Sequence, residues 1–397
     1  MLLRRCAILY MEPREDLHLD LKALFAGTSA LDSSVQWVAL APHIGRELNI
    51  NAAEMMALGR IGAALWVERA DCEQRHSEEV VARLLELGLL IAHGGEPDEP
   101  AQLASARDRD TALRAQHWHS LAALTHTFTR WEDVCAETGT RFPSFDLLQA
   151  EYGPPPPTTL EFGTEDHDVV LPAPADGTLD KVLLNRYTCR NFDPDASLPL
   201  ALAARLLQRT FGAQEQRLMS PTATAPGALA LKKTSPSGGS LHPMEAYILV
   251  QRVDGVSPGL YHYHPVRHVL QPLRTLDAEQ AYKLAFDAVA NQHWFANAPM
   301  LVVMAARVER NFWKYRKHAK SYRALTLDAG HLSQTFYLLA TEAGVSAFIT
   351  AAINEIKVEQ ALGLDPLKHA VIAICGCGYA AAETTMVEFR QGDLTGW

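Results

Sequence analysis

One stretch decides the fold, Thr234-Ser-Pro-Ser-Gly-Gly-Ser-Leu-His-Pro-Met-Glu-Ala-Tyr247, which runs directly into an apolar strand at 246–250. Its two adjacent glycines allow positive φ and let a ligand approach main-chain N–H groups without a Cβ in the way. Ser235, Ser237 and Ser240 add hydroxyl donors to the same concavity. Such a loop favours the binding of an anionic or flat group. A plain serine-rich turn before a strand is the alternative, and the loop alone leaves both open.

The composition is that of a globular chain with more than one core. Of 397 residues, 48% are hydrophobic and 21% are charged, which allows two or three folded domains. The formal net charge of −10 argues against a nucleic-acid surface, because phosphate binding needs clustered Lys and Arg. No apolar run reaches the length of a membrane span and no signal-peptide cleavage site follows the start, so we expect a cytoplasmic protein. The six cysteines have no C-x-x-C spacing, which argues against disulfides and a zinc site.

The pattern of the chain divides it into four regions. They are a small winged-helix-like domain at 1–100, a helical connector at 101–153, a proline-rich linker at 154–177 and a main domain at 178–397. In the first region, a strand at 35–40 and a helix at 78–87 that ends at Gly88 are typical of modules that bind a peptide strand along an edge. In the connector, a stripe of large apolar residues at helical spacing predicts a core face. The stripe consists of Trp118, Leu121, Leu124 and Phe128.

The main domain opens with a short helix at 179–184 and an extended stretch after it. Arg186, Thr188 and Arg190 alternate there, so their side chains point the same way. Two guanidinium groups and a hydroxyl on one side make a phosphate clamp. A solvated basic edge is the alternative, and the residues alone do not choose between the two.

The rest of the main domain alternates helices and strands around the serine-glycine loop. We expect a mobile loop at 212–233. The alternation around 259–268 predicts a hairpin rather than a metal site, despite three histidines there. The other predicted helices are 198–211, 277–291, 321–343 and 355–362, and the other predicted strands are 298–306, 345–349 and 369–378.

These motifs, in this order, resemble the nitroreductase-fold flavoproteins, and more narrowly the SagB-type dehydrogenases of ribosomal-peptide maturation. The resemblance extends over residues 178–380. It rests on Arg186-Tyr-Thr-Cys-Arg-Asn-Phe192, Ser235 to Pro243 with Glu245, Gly259-Leu-Tyr261, Ala298-Pro299, Trp313-Lys-Tyr315, Tyr322-Arg323, Leu327-Asp-Ala-Gly-His331 and Gly376 to Gly378. The implied fold is α+β, a nitroreductase-like FMN fold with a central mixed, mainly antiparallel sheet flanked by helices.

The resemblance implies an FMN cofactor and assigns residues to it. The FMN phosphate and ribityl chain would be held by the clamp stretch, and the isoalloxazine ring would lie on the serine-glycine loop. The cofactor-binding residues so implied are Arg186, Tyr187, Thr188, Arg190, Pro236, Ser237, Gly238, Gly239, Ser240 and Leu241. No basic residue follows the last strand directly, where the family often has one. The family is usually a homodimer with FMN at the interface, which suits the long helix at 321–343.

The resemblance also implies that Lys314 and Tyr315 are the catalytic pair. Dehydrogenation removes a proton and a hydride from adjacent atoms, so the protein must supply a base. A lysine responds strongly to burial, and a nearby ammonium group can lower the pKa of a phenol. The alternative is a basic surface turn, which the neighbouring Arg316, Lys317 and Lys320 favour.

The expected function is therefore an FMN-dependent dehydrogenase that oxidises a residue of a ribosomal precursor peptide, for example azoline to azole. Other maturation enzymes are expected as partners. Binding to nucleic acid or to a membrane is not expected. One alternative is an NAD(P)H-dependent nitro- or quinone reductase of the same fold. The other is a non-catalytic flavin- or peptide-binding partner.

Overall fold

The structure is a computed structural model of the chain. It describes residues 1–19, 21–27, 31–94, 99–138, 145–160, 162, 169–175, 177–220, 222, 224 and 229–390. Within these residues, no helix is long and apolar enough to cross a membrane. The same residues contain no group of three or more His, Cys, Asp or Glu side chains that could hold a metal ion.

The N-terminal region combines two small antiparallel sheets with short helices. Its strands are β1 (Leu2–Arg5), β2 (Tyr10–Leu19), β3 (Leu31–Leu40), β4 (Glu47–Ile50), β5 (Val67–Glu68) and β6 (Leu90–Ala92). Its helices are α1 (Leu21–Phe25), α2 (Ala52–Arg60), α3 (Arg69–His76) and α4 (Glu78–Glu86). The sheets have the strand orders β5-β1-β6 and β2-β3-β4. The strand at 35–40 and the helix that ends before Gly88, where φ is +72°, are confirmed. The peptide-binding role expected of this region stays a prediction.

The connector is helical, as expected, but its buried face differs from the prediction. Its helices are α5 (Ala101–Ala115), α6 (Ser120–Phe128) and α7 (Phe145–Tyr152). Trp118 is buried just before α6, whereas Leu121 is 63% exposed. The buried positions of α6 are Ala123, His126 and Thr127. The predicted stripe is therefore confirmed for Trp118 and wrong for Leu121, and Leu124 and Phe128 are half-buried. Apolar periodicity does not reveal the burial of His126 and Thr127.

Helix α5 is fixed to the N-terminal region through one fully buried carboxylate, Asp110. Asp110 Oδ1 accepts a hydrogen bond from the Ala7 backbone N–H at 2.6 Å. Its Oδ2 lies 2.7 Å from Arg114 Nε and 3.6 Å from Arg4 Nη2. A buried carboxylate with these partners orients α5 against the first strand, because leaving the charge unpaired would be costly.

Helix α6 is fixed to the C-terminal half through a buried aromatic cluster. His126 Nε2 donates to the Pro366 carbonyl at 3.0 Å, so Nδ1 accepts from Tyr322 Oη at 3.2 Å. Trp118 Nε1 donates to the Leu367 carbonyl at 3.0 Å, and its ring stacks on His126 at 5.2 Å. The connector therefore joins the two halves of the chain by side-chain contacts on both sides.

The burial of His126 predicts a specific acid sensitivity. Burial lowers the pKa of His126 to about 3, from a usual value of 6.5. Below pH 6.5 the unfolded chain takes up a proton there and the folded chain does not, so the contribution of His126 to stability falls by about 2 kcal/mol between pH 7 and pH 5. Chemical denaturation at the two pH values should therefore give a smaller stability difference for His126→Gln than for the parent. The control His18→Gln, at an exposed position, should keep the parent difference; equal differences in all three proteins would contradict the prediction.

The main domain is built on a six-stranded sheet. A hairpin of β7 (Glu215–Leu218) and β8 (Leu229–Lys232) precedes it. The strands of the sheet are β9 (Met244–Val250), β10 (Gly259–His264), β11 (Val269–Thr275), β12 (Met300–Arg307), β13 (Ser346–Thr350) and β14 (His369–Gly378). Its helices are α8 (Asp180–Asn185), α9 (Leu200–Phe211), α10 (Ala278–Ala288), α11 (His293–Ala296), α12 (Val308–Lys314), α13 (Ser321–Glu342) and α14 (Glu355–Leu362). The sheet order is β11-β10-β9-β12-β14-β13, with antiparallel neighbours. Thr188 adds a parallel bridge to Ala347, so the α+β fold with a mainly antiparallel sheet is confirmed.

The alternation of β9 gives the sheet two different faces. Met244, Ala246 and Ile248 join a core that includes residues of α9 and α13. Leu249 faces the other way, into a core that includes residues of α10, α11 and α14. The serine-glycine loop leads into β9, so it is held at one end of the sheet beside α13.

The predicted mobile loop at 212–233 is partly wrong, because its ends pair. Strands β7 and β8 form a two-stranded antiparallel hairpin with Glu215 opposite Lys232 and Leu218 opposite Leu229. Sequence periodicity misses it because the strands are short and small residues separate them. Residues 221, 223 and 225–228 of this segment lie outside the described residues.

Candidate functional site

The serine-glycine loop has the backbone that its sequence predicts. Residues 238–240 form one 3-10 turn, in which Gly239 has φ +63° and ψ +21°. Ser240 and His242 also have positive φ, of +56° and +46°. Left-handed backbone at a residue other than glycine is strained, and such strain gathers at binding sites.

A single buried carboxylate on α13 holds this loop in place. Asp328 is 4% exposed. Its Oδ2 accepts from Ser237 Oγ at 2.5 Å and its Oδ1 from the Gly238 backbone N–H at 3.0 Å. Ser237 Oγ in turn accepts from the His242 backbone N–H at 2.9 Å. The loop is therefore pre-formed by contacts within the chain.

These contacts correct one expectation about the serines. Ser235 Oγ lies 2.7 Å from Thr335 Oγ1 of α13, and Ser235 is 3% exposed. Together with Ser237, it fixes the loop to the helix, so these two hydroxyls do not face a ligand as donors. Ser240 is exposed. The sequence signal for Asp328 is an acidic residue among the apolar positions of α13, since a buried carboxylate needs donors.

Lys314 and Tyr315 lie against the glycine of the loop. Lys314 ends α12, is exposed, and has its Nζ 5.5 Å from the centre of the half-buried Tyr315 ring. A Cβ added at Gly239 would lie 2.6 Å from Tyr315 Oη and 2.7 Å from Lys314 Nζ. The two polar ends therefore meet the loop where only glycine leaves room.

The clamp stretch contacts α13 at a different place. Thr188 Oγ1 lies 3.0 Å from Tyr337 Oη, and the Arg186 guanidinium lies 5.3 Å from the centre of the Tyr337 ring. Tyr337 Oη also accepts from the Ile349 backbone N–H at 3.0 Å. Arg186 and Thr188 thus reach the same aromatic side chain, as their alternation predicts.

Tyr187, through its ring, and Arg190, through its backbone, contact the C-terminal segment. Tyr187 Oη lies 2.6 Å from Ser346 Oγ, and the Arg390 guanidinium lies 4.4 Å from the centre of the Tyr187 ring. The Arg190 backbone N–H donates to Glu388 Oε1 at 2.5 Å. Arg390 in turn pairs with Glu388 through its Nη2 at 2.6 Å, so this segment is tied to the clamp stretch by a ring contact and a backbone hydrogen bond from one ion pair.

Positive charge gathers beneath the loop, although the chain as a whole is acidic. Lys233, directly before the loop, is 5% exposed, and burial lowers its pKa to about 8. Burial and the charges of Lys233 and Arg310 lower the pKa of His242 to about 4. Arg310 Nε donates to the Leu241 carbonyl at 2.9 Å. The sequence analysis missed Lys233, because two adjacent lysines before a polar loop give no sign that one is buried.

The chemistry of this arrangement suits a planar, anionic ligand. Gly239 offers main chain without a side chain, and the surrounding lysines and arginines offer positive charge. Lys314 and Tyr315 place an ammonium group and a phenol at the same point. A hydride acceptor bound on the loop would lie beside groups that can take up or donate a proton.

Comparison with known proteins agrees with this arrangement. The nitroreductase family matches residues 183–379, which contain the clamp, the loop, α12 and α13. A protein of Methanocaldococcus jannaschii that is named as a nitroreductase is 30% identical over 197 residues, covering 49% of this chain and 89% of the relative.

Two other relatives are named for toxin processing. The trifolitoxin-processing protein TfxB of Rhizobium leguminosarum bv. trifolii is 30% identical over 137 residues, or 34% of this chain and 36% of TfxB. The microcin B17-processing protein McbC of Escherichia coli is 23% identical over 154 residues, or 38% of this chain and 55% of McbC. The match therefore spans about a third of one and about half of the other. The resemblance to the nitroreductase superfamily is confirmed, and the chain belongs to the nitroreductase family.

Proposed function

We propose that the chain is an FMN-dependent, SagB-type oxidoreductase that removes two electrons from a residue of a ribosomally synthesised peptide, as in azoline to azole conversion. The observation that carries the proposal is the meeting of Lys314 and Tyr315 with Gly239. The toxin-processing names of two relatives support a peptide as the substrate.

The residues of the chain suit FMN. Arg186, Thr188 and Arg190 would hold the phosphate, with Tyr187 beside them, and 236–241 would support the ring. Bound flavin would supply the hydride acceptor for the oxidation. The pre-formed turn supports this assignment, because a loop that is already held in place loses little freedom when a ligand binds.

Lys314 and Tyr315 would manage the proton. The substrate residue loses one hydride and, from the adjacent atom, one proton, with dioxygen as the final electron acceptor. Tyr315 Oη and Lys314 Nζ both reach the Gly239 position. As a phenolate stabilised by the Lys314 ammonium group, Tyr315 would receive the substrate proton and become a neutral phenol.

Geometry along α13 supports a homodimer that shares FMN between subunits. Asp328 holds the loop and Tyr337 contacts the clamp. The two positions are separated by about two and a half helical turns, or about 14 Å, and so lie on opposite sides of the helix. The clamp and the loop of one chain therefore lie on different sides of α13. This arrangement suits a cofactor that contacts the clamp of one subunit and the loop of the other. A precursor peptide, a peptide-binding role for residues 1–100, other maturation enzymes and a cytoplasmic location complete the proposal.

The proposal is tested with the purified protein and a precursor peptide encoded beside its gene. We expect a yellow protein with a flavin spectrum and, after aerobic incubation, a peptide lighter by about 2 Da. A colourless protein that does not take up added FMN would refute the cofactor assignment. A yellow protein that leaves the peptide mass unchanged would refute the peptide as substrate.

The relative that is named as a nitroreductase supports a second candidate, an NAD(P)H-dependent nitro- or quinone reductase. Anaerobic mixing separates the two. Rapid bleaching of the flavin by NAD(P)H alone would favour the reductase, whereas bleaching by the peptide alone would favour the peptide oxidase.

Replacing Gly239 with alanine should lower activity more than an equally strained substitution elsewhere. Gly239 and Gly344 both have left-handed backbone, with φ of +63° and +75°. A Cβ at Gly239 would push Tyr315 Oη and Lys314 Nζ aside, whereas a Cβ at Gly344 would meet nothing within 4 Å. We expect turnover to fall about 10- to 100-fold in Gly239→Ala and to change little in Gly344→Ala. Equal losses in the two variants would mean that backbone strain alone is responsible.

A further inference from the structure

A second site lies on the face of the sheet opposite α13. It is a groove of about 560 Å³ beside the edge strand β11, within the range of about 300–1,000 Å³ typical of small-ligand sites. Its polar side chains come from β9, β10, β11 and β12, and its apolar wall comes from Leu273, Leu362 and Leu364.

A chain of paired groups forms the floor of this groove. Glu245 Oε2 accepts from His262 Nε2 at 2.9 Å, and its Oε1 lies 2.6 Å from Arg307 Nε. His262 Nδ1 lies 3.0 Å from Gln271 Oε1, so both ring nitrogens face acceptors. The hydrogen bond to Glu245 raises the pKa of His262. Burial alone would raise the pKa of Glu245, but the bond from His262 and the charge of Arg307 lower it.

The groups of the groove that remain available are donors. Both oxygens of Glu245 are engaged, one by His262 and the other by Arg307. Among the described residues, no side-chain or backbone partner binds the Nη atoms of Arg307, the amide Nε2 of Gln271 or the hydroxyl of Tyr247. Arg307 is also 38% exposed at its side chain. A floor whose available groups are donors, and which includes a guanidinium group, favours an anionic acceptor.

We propose that this groove binds a carboxylate carried on an apolar group, either the C-terminal carboxylate of a peptide or a branched aliphatic acid. The two Nη atoms of Arg307 offer the paired donors that fit a carboxylate. The leucine wall takes the apolar part. The groove is lined by side chains of β9 to β12 and contains neither the turn at 238–240 nor Lys314 and Tyr315, so its binding can be tested apart from the reaction proposed above.

The test is isothermal titration calorimetry with the full chain. The probes are N-acetyl-leucyl-leucine, the same dipeptide as its C-terminal amide, and 4-methylpentanoate. We expect the dipeptide acid to bind, and the affinity of the amide to be lower by about tenfold or more. An acid and an amide of equal affinity would overturn the proposal. If 4-methylpentanoate binds as tightly as the dipeptide acid, the ligand is a small acid; if only the dipeptide acid binds, it is a peptide terminus.

Two variants locate the binding. Arg307→Lys keeps the charge and removes the paired donors, and Leu273→Glu adds a competing carboxylate to the wall without touching the Glu245–His262 pair. Each should weaken binding of the acid about tenfold or more. Leu218→Glu is the matched control, since Leu218 and Leu273 are each 49% exposed and Leu218 lies on the β7–β8 hairpin. Acid binding that survives both groove variants would place the ligand elsewhere and overturn the assignment.

Discussion

Replacing Lys314 with alanine, or Tyr315 with phenylalanine, is expected to slow peptide oxidation about 100-fold or more while the protein still binds FMN. Each change removes one of the two polar ends that meet the loop at Gly239. Tyr315→Phe keeps the half-buried ring, so a loss of rate in this variant belongs to the hydroxyl group alone. The rate of flavin bleaching in anaerobic single-turnover mixing with the peptide measures the chemical step.

A charge-matched control makes this experiment specific. Lys320→Ala removes an exposed lysine from the same basic turn, at the residue before α13. The Lys320→Ala variant should keep the bleaching rate within about a factor of two of the parent rate, because salt screens exposed charges. If Lys314→Ala and Tyr315→Phe bleach at the parent rate with flavin bound, the proton is handled by other groups and the assignment is wrong.

Replacing Asp328 with alanine should release the cofactor without unfolding the chain. The substitution leaves the Ser237 hydroxyl and the Gly238 N–H without their acceptor, at a cost of about 1–3 kcal/mol for each donor. The loop would then lose its pre-formed turn, and the affinity for FMN should fall about 10- to 100-fold. Fluorescence titration of the apoprotein with FMN gives that affinity, and circular dichroism melting reports the fold separately.

The control for this substitution lies on the same helix. Glu342 at the end of α13 pairs with Arg205 at an exposed position. Glu342→Ala removes one carboxylate from α13 but no contact to the loop, so FMN affinity should stay at the parent value. An Asp328→Ala protein with parent FMN affinity would mean that the loop does not need this anchor.

The elements that sequence predicted well have continuous or strongly periodic apolar patterns. The strand at 369–378 and the helix at 355–362 agree with the structure at both ends, and the helix at 321–343 differs by one residue. Strand β14 is a continuous apolar run inside the sheet, and α13 and α14 pack on its two opposite faces. The β7–β8 hairpin was missed because its strands are short and small residues separate them. The buried face of α6 was predicted only in part, because His126 is buried by bonds to distant residues.

The candidate site, too, was predictable from the sequence only in part. Positive φ at Gly239 follows from the local sequence, since adjacent glycines are favoured in left-handed turns. The burial of Lys233 and the anchoring role of Asp328 depend on which distant helix packs against the loop. The hydroxyls of Ser235 and Ser237 were expected to face a ligand, and α13 takes them instead. Proximity in the fold, rather than composition, decides which polar groups remain for a ligand.

The double attachment of the connector determines where related chains can be recombined. Helix α5 belongs with the N-terminal region through Asp110, and α6 belongs with the C-terminal half through His126. If two related chains are joined in the proline-rich linker, α6 and the C-terminal half that it contacts come from different parents. If they are joined near residue 100, α5 and the N-terminal region that it contacts come from different parents. The crossover that preserves both of these hydrogen-bonded attachments lies between the two helices, at 116–119, where His117 has φ +55°. Leu113 of α5 would still have to fit the core of the main domain. The His117 carbonyl accepts from the Lys317 backbone N–H at 2.9 Å, so a transplanted N-terminal region must also match the turn that follows Tyr315.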